Sequence, residues 1–517
     1  MKRKRPDPSF SEWRSCLHNP GRRTAAAVSV LAMGVMLTAT GCSGTGTETS
    51  ATVQPESKTT ETSTTTAEAE KPTPEPVEGA VAINIDPGTK YQQWKGWGIG
   101  LTWYSDRMVK NQKAEDAYDL LFDDLGITTL RFRNTYLYGG YDKEFKNEAA
   151  LYEAAKKRAG ANGEDVTVLL SSWSPCAALK SNGSVSGDST LAKDENGNYR
   201  YDDLGEYFAD TVEAYRNAGV DVNYLSIQNE PDYSVSYDCC LFDPEENEKH
   251  AGYSQAFLAT YDALEKRFGG DAPKLIGPET MTAKDAVVNL YMKPILETRP
   301  ETAYGICHHL YDGGSDTSDP SGYWSNLAGL NSRYPDEHKW MTEFYNDNVM
   351  QVAGFVNRAL TVENVESYMY WDGVWDMSAG LIGFEPDGSK DFKIHENYYG
   401  MKHFSAFIRP GYYRIDSKIK GDSSKKMQST TFASEDLGRI AQIIVNPTDS
   451  EQMIQLMPQD YEITDVTAYL SICGEGYDKE ENYPDCLCRK TEGPDERNCF
   501  TVPARSIVTF DITGKQK

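Results

Sequence analysis

From Val81 onward, short runs rich in Val, Ile, Tyr and Trp alternate with longer stretches whose apolar residues recur at three- and four-residue steps. The first pattern fits strands and the second fits amphipathic helices packed over them. Eight runs carry the strand pattern: 96-GWGIGL, 128-TTLRFR, 166-VTVLLSSW, 222-VNYLSIQNE, 274-KLIGPE, 304-YGICHHLY, 338-HKWMTEF and 365-VESYMYWD. Helical stretches such as Leu204 to Ala218 and Ser254 to Phe268 fall between them. Eight strand–helix units are what a closed barrel needs, so the expected fold class is α/β, a (β/α)8 TIM barrel over residues 95–403.

Past Ile408 the helical period disappears. Segments such as 437-LGRIAQIIVNP and 504-ARSIVTFDI read as strands with turn residues between them, which predicts an appended β-sandwich domain over 404–517. VAINID, at 81–86, has no local strand to pair with, so residues 80–94 are expected to join that β domain and clamp it to the barrel. A chain of 517 residues has room for both, since a barrel takes about 250.

Upstream of this region the texture is different. Residues 1–42 open on MKRKR, continue past Arg22 and Arg23, then run apolar from Ala25 to Ala39, a stretch too short for a firm membrane span. Ala39-Thr40-Gly41-Cys42 resembles a bacterial lipobox, which implies lipidation at Cys42 and an extracellular protein anchored to the outer face of a bacterial membrane. A plain secretion signal or a signal anchor are the other readings of the same segment. Residues 43–79 are almost all Ser, Thr, Glu, Pro, Gly and Ala, too poor in apolar groups to offset the entropy of ordering, and read as a disordered tether.

Composition narrows the partners. A formal charge of −26 repels phosphate backbones and excludes nucleic acid, whereas a neutral or weakly charged ligand fits. The 32 Tyr and 9 Trp supply rings either for a large core or for platforms under flat ligands. Of ten cysteines, Cys16 and Cys42 belong to the leader region, and Cys473, Cys486, Cys488 and Cys499 cluster without the paired spacing of a zinc ribbon. One or two surface disulfides are expected there, with free thiols as the alternative and zinc a more distant one, while adjacent Cys239 and Cys240 are too strained to bond each other. No metal site and no cofactor are expected.

In a barrel of this kind the carboxyl ends of the strands form the working face. Glu230 ends the fourth strand in SIQNEPDY, and Glu343 ends the seventh in KWMTEFYND, so the two stand across the barrel mouth from each other. Cleaving a glycosidic bond needs one carboxylic acid to protonate the leaving oxygen and one carboxylate to meet the oxocarbenium-like carbon. Two such groups need environments that split their acidities. The bland reading makes both glutamates surface acids at helix starts, where the macrodipole favours negative charge. Arg133, closing LRFR, is placed to hold Glu343 ionised or to form an ordinary salt bridge at the mouth. Strand alternation sets His309 and Tyr311 on one face, His309 lining a site or serving as a satisfied structural histidine. Trp173 and Trp371 sit at the mouths of strands three and eight, as sugar-stacking rings or as core.

SIQNEPDY, LLSSWSPCAALKSNGS, KWMTEFY and FSAFIRPGYYRID together resemble glycoside hydrolase family 30, a group of retaining barrel enzymes, from about Ile83 to near the carboxyl end. The resemblance implies that Glu230 is the general acid/base, that Asn229 hydrogen-bonds the sugar 2-hydroxyl, and that Glu343 is the nucleophile. It also implies that Tyr311 donates to the nucleophile while His309 lines the sugar pocket. FSAFIRPGYYRID and NEPDY are most similar to the bacterial xylanase branch, which implies an endo-β-1,4-xylanase with a xylan-type polysaccharide as partner. Glucuronoxylan-specific members carry arginine in the loop after strand eight, but 372-DGVWDMSAGLIGFEPDG holds no Lys or Arg before Lys390. Dependence on glucuronate branches is therefore not expected. The competing readings are an exo-acting β-glycosidase of the same family, glucosylceramidase-like or a β-xylosidase, and a non-catalytic carbohydrate-binding lipoprotein. A purely structural surface protein leaves the ordered strand-end motifs unexplained.

Overall fold

The computed structural model describes residues 74–517 apart from 140, 142–143, 312–320, 347, 377–379, 386–390 and 475–484. The leader, Cys42 and most of the Ser/Thr-rich segment lie outside the described residues. Within them, no helix is long and apolar enough to cross a membrane.

Eight parallel strands close into a barrel in chain order. They are Gly96–Leu101, Thr129–Arg133, Thr167–Ser171, Tyr224–Ser226, Lys274–Thr280, Gly305–His309, His338–Glu343 and Ser367–Tyr370. The eighth closes the ring by pairing with the first, Ser367 opposite Gly96 and Tyr370 opposite Ile99. The expected α/β barrel is the fold, although the fourth strand is far shorter than its apolar run suggests. Its chain leaves the ladder after Ser226, so Glu230 stands on a loop rather than on the strand itself.

Inward positions fill the lower barrel with Leu169, Ile276, Cys307, Trp340 and Met369, flanked by Tyr224 and Tyr304. That plug is a packed floor beneath the polar groups of the mouth. Outside, the helix Tyr201–Asn217 buries Leu204, Phe208, Val212 and Tyr215, one stripe at helical spacing. It packs on the helix Tyr253–Phe268, and Gly205 permits the approach: a Cβ there would meet the Ala259 carbonyl oxygen at 2.6 Å.

The second domain is a continuous nine-stranded mixed sheet wrapped around its own core of residues such as Ile83, Ile440, Ile444, Leu456, Val508 and Phe510. It provides the appended β layer. Val81–Gln93 lies inside this sheet, antiparallel to Tyr413–Lys420 and parallel to Gln452–Pro458. The chain then passes directly into the first barrel strand, with Trp94 N donating to Tyr412 O at 2.7 Å and Trp97 Nε1 to Ile408 O at 2.9 Å. On the other side, His403 of the helix Glu396–Ser405 is pinned by Thr509 and Ser471 of the sheet, each at 2.9 Å.

The surface disulfides expected near the carboxyl end are not found. Cys473, Cys486, Cys488 and Cys499 are all buried thiols, and the sulfurs of Cys473 and Cys486 lie 3.4 Å apart. The hydrophobicity of a thiol, rather than cross-linking, accounts for these positions.

Candidate active site

Two irregularities in the barrel ladder aim the acidic side chains. On the seventh strand the register runs Trp340 opposite Cys307 and Met341 opposite His308, then jumps to Glu343 opposite His309. Strict alternation from Trp340 would turn Thr342 inward and Glu343 outward, and the extra residue reverses that. On the fifth strand a second jump falls between Pro278 and Thr280, and Glu279, the residue between them, has φ +54°. Glu230 has φ +49°, and its amide donates to the Glu279 carbonyl at 2.9 Å. Non-glycine residues in this left-handed region cost roughly 1–2 kcal/mol each, and such strain concentrates at working sites.

Arg131 joins these groups. Its guanidinium is fully buried and donates from Nη1 to Glu343 Oε2 at 2.5 Å, from Nη2 to Asn229 Oδ1 at 2.6 Å, and from Nε to Glu279 Oε1 and Ser171 Oγ at 3.1 Å. Burial alone would weaken the cation, but the Glu279 and Glu343 charges outweigh it and hold Arg131 firmly protonated. Because the guanidinium claims Oδ1 of Asn229, the amide nitrogen is left to donate elsewhere. The arginine expected against Glu343 was Arg133, and the structure corrects this to Arg131. Both point inward by alternation, but Arg133 lies two residues, roughly 6–7 Å, nearer the mouth. There it pairs with Asp238 at 3.1 Å, contacts Tyr141, and covers the Trp103 ring 4.4 Å from its centroid.

His309 sits between the carboxyl groups. Its Nδ1 is 3.0 Å from Glu230 Oε1, and its Nε2 is 3.9 Å from both Glu279 Oε1 and Glu343 Oε2. Burial opposes charge on the imidazole, yet the Glu343 charge, with hydrogen-bonding contacts from Glu230 and Glu279, raises it to about 9. Burial pushes the Glu230 carboxyl up to about 7, against the stabilising contact from His309. Glu279 shows the opposite balance: burial would raise it, but Arg131 and His309 hold it at about 2. Tyr311 lies just beyond the sixth strand with its ring edge-on to His309 at 6.0 Å. Burial and its hydrogen bond with Glu343 keep its phenol protonated.

Aromatic rings wall the pocket. Trp173 and Trp371 lie 5.8 Å apart between centroids, and Trp103 meets them edge-on at 5.3 and 5.6 Å. Arg131 lies over the Trp173 ring at 4.7 Å, so this tryptophan serves the charged network as well as the wall. Trp103, Trp375 and Tyr237 belong to the same cluster and were not singled out from the sequence. The signal for Trp103 was available, because it follows the first strand as Trp173 follows the third.

Among the described residues, the one grouping of three ligand-type side chains is Glu230, His309 and Glu343, with donor atoms within 4.8 Å of one another. A cation held there would face the Arg131 guanidinium already bonded to Glu343, so this set suits proton sharing better than metal binding. The same figure bounds the closest approach of the two carboxylates. They approach from opposite walls of the barrel, the fourth and seventh strands.

The fold and the relatives together indicate an O-glycosyl hydrolase. The relatives and structural neighbours carry the names of glycoside hydrolases, family 30 among them. The chain is 23% identical over 418 residues to a Caenorhabditis elegans protein named "Putative glucosylceramidase 4", covering 70% of this chain and 73% of that one. It is 24% identical over 287 residues to the glucuronoxylanase XynC of Bacillus subtilis, a match covering 53% of this chain and 59% of the relative, less than two thirds of its length. In fold it is similar to the family 30 subfamily 8 xylanase Xyn30A from Clostridium acetobutylicum, with a TM-score of 0.63 and 21% identity over 84% of this chain and 99% of that one. No family profile matches the chain.

Proposed function

We propose that the protein is a retaining β-glycosidase in which Glu230 is the acid/base and Glu343 the nucleophile, acting on xylan-type polysaccharide as an endo-β-1,4-xylanase. The observation that carries the reading is the approach of the two carboxylates to within 4.8 Å. Retaining enzymes hold the pair about 5–5.5 Å apart, whereas inverting enzymes leave ~6.5–9.5 Å for a water. In the first step a Glu343 oxygen bonds to the anomeric carbon while Glu230 gives its proton to the departing oxygen. In the second, Glu230 takes a proton from water, the hydroxyl attacks the same carbon, and Glu343 is released. Arg131 neutralises Glu343 between attacks and turns the Asn229 amide nitrogen toward the sugar 2-hydroxyl.

Support for xylan comes from the sequence motifs and from the xylanases among the relatives and neighbours. The strand-eight loop, without Lys or Arg between Asp372 and Ser389, favours a chain without obligatory uronate branches. The glucosylceramidase-type relative favours a second reading, an exo-acting β-glycosidase with a closed pocket. Lipid attachment at Cys42, with the enzyme on the outer face of a bacterial membrane, completes the proposal.

Purified protein incubated with glucuronoxylan, arabinoxylan, linear xylan, β-glucan and galactan decides the polymer, and product lengths separate endo from exo action. Proton NMR of the first-formed anomer should show retention, and an inverted product would reject the nucleophile assignment. Glu343→Gln is expected to fold and bind glycan normally with no measurable turnover, because the change removes charge and almost no volume. A near-normal rate in that variant would also sink the assignment.

A further inference from the structure

Glu279 is a third buried carboxylate at the site, and the double-displacement scheme gives it no task. It is wholly buried and is tied to Glu230 in two ways. Its carbonyl oxygen accepts the Glu230 amide at 2.9 Å, and its carboxylate lies 3.9 Å from His309 Nε2, whose other nitrogen reaches Glu230. Resting on the assignment of Glu230 as the acid, we propose that Glu279 is a positioning residue that keeps His309 doubly protonated and thereby fixes the Glu230 proton on the oxygen facing the substrate.

The argument is one of donors and acceptors. A doubly protonated imidazole has only donors, so Nδ1–H must donate to Glu230 Oε1, and the carboxyl proton is left on Oε2. A neutral imidazole with a bare Nδ1 would instead accept the proton from Oε1 and draw it away from the glycosidic oxygen.

Charge balance decides which state holds. The groups facing His309 are Glu230 after the fourth strand, Glu279 on the fifth, Glu343 on the seventh and Tyr311 beyond its own strand. Arg131 bridges Glu279 and Glu343. Asp232, Asp372 and Tyr237 also belong to the field around the two catalytic carboxyls. With Arg131 and His309 cationic and Glu279 and Glu343 anionic, two charges of each sign cancel, and Glu230 can stay neutral. Without the Glu279 anion the pocket carries one surplus positive charge, and the His309–Glu230 pair sheds a proton more readily. Glu343 and Glu279 are both among the groups that raise the basicity of His309. The arrangement parallels the buried aspartate that fixes the tautomer of a catalytic histidine in serine hydrolases.

The test uses the full chain as wild type, Glu279→Gln and Glu279→Asp. Nitrogen-15 NMR of labelled histidines follows His309, assigned with His309→Gln, and kcat/KM against pH is measured on aryl β-xylobiosides with good and poor leaving groups. Wild-type His309 should remain protonated through pH 8. Glu279→Gln should lower its midpoint by about one pH unit or more, move the alkaline limb of kcat/KM the same way, and slow poor leaving groups roughly 10-fold more than good ones. Glu279→Asp, which keeps the charge, should recover most of each effect. Equal His309 midpoints in wild type and Glu279→Gln would overturn the proposal. So would a wild-type His309 titrating near the ordinary value of about 6.5, a result that needs no folded variant. Failure of the wild type to cleave any glycoside would reject the role of Glu230 instead, and the imidazole titration would still decide the coupling to Glu279.

Discussion

Glu230 combines a left-handed backbone, a buried carboxyl and a histidine contact on one of its oxygens. Its acidity, lowered by burial so that it titrates at about 7, suits a group that must hold a proton before it can give one away. As the proposed acid, Glu230 works only while protonated, so kcat/KM on poor leaving groups should fall as pH rises through about 7. Glu230→Ala should cost about 10²–10⁴-fold on those substrates, far less on activated aryl glycosides, and should erase the alkaline limb. Equal losses on both substrate types would count against the acid role. At this scale the strand-end positions singled out the two glutamates, and the family resemblance added Asn229; the structure brings all three onto Arg131 or His309. The sequence did not separate Arg131 from Arg133, since alternation gives the face of a strand but not the depth at which a side chain meets its neighbours. Nor did it reveal Glu279, whose inward aim depends on a ladder irregularity with φ +54°.

The elements were legible to different degrees for physical reasons. All eight barrel strands follow their apolar runs, because buried parallel strands have little choice of composition. Their ends follow less closely. The fourth ladder stops at Ser226, and the segment to Glu230 satisfies its amides through neighbouring loops, as where Asn229 N donates to Ser172 O at 2.7 Å. The strand Val81–Gln93 is held by alternation, with Val81, Ile83 and Ile85 buried and their neighbours partly open. Ile83 is wholly buried in the sheet core, so Ile83→Ala should destabilise the protein by about 2–5 kcal/mol, read by denaturant unfolding. Steady-state activity at 25 °C should hardly change, since Ile83 is remote from the carboxyl cluster. An unchanged unfolding midpoint would mean that this strand contributes little to the native state.

At the scale of the molecule, barrel and sheet are joined in part through His403, which tolerates no charge. His403 lies buried between the last barrel helix and the sheet, and burial, with some help from Lys402, lowers it to about 3. The unfolded chain takes up that proton near pH 6.5, so no penalty exists above that value. As pH falls from about 6.5 toward 3 the folded state should lose on the order of a few kcal/mol from this residue, with His395, lowered to about 4, adding in the same direction. Denaturant unfolding across that range should show the slope, and His403→Asn should flatten it. A variant with the wild-type slope would assign acid sensitivity to other groups.

The placement of Val81–Gln93 also bears on how the chain reaches this state. Its partners are Tyr413–Lys420 and Gln452–Pro458, so the earliest described strand waits for some of the latest synthesised residues. Such distant pairings are slow to form and leave a nascent polypeptide with an open hydrogen-bonding edge. A translation product halted between the barrel and Pro458 would carry Val81, Ile83 and Ile85 without their shelter, exposed to self-association or to chaperone capture.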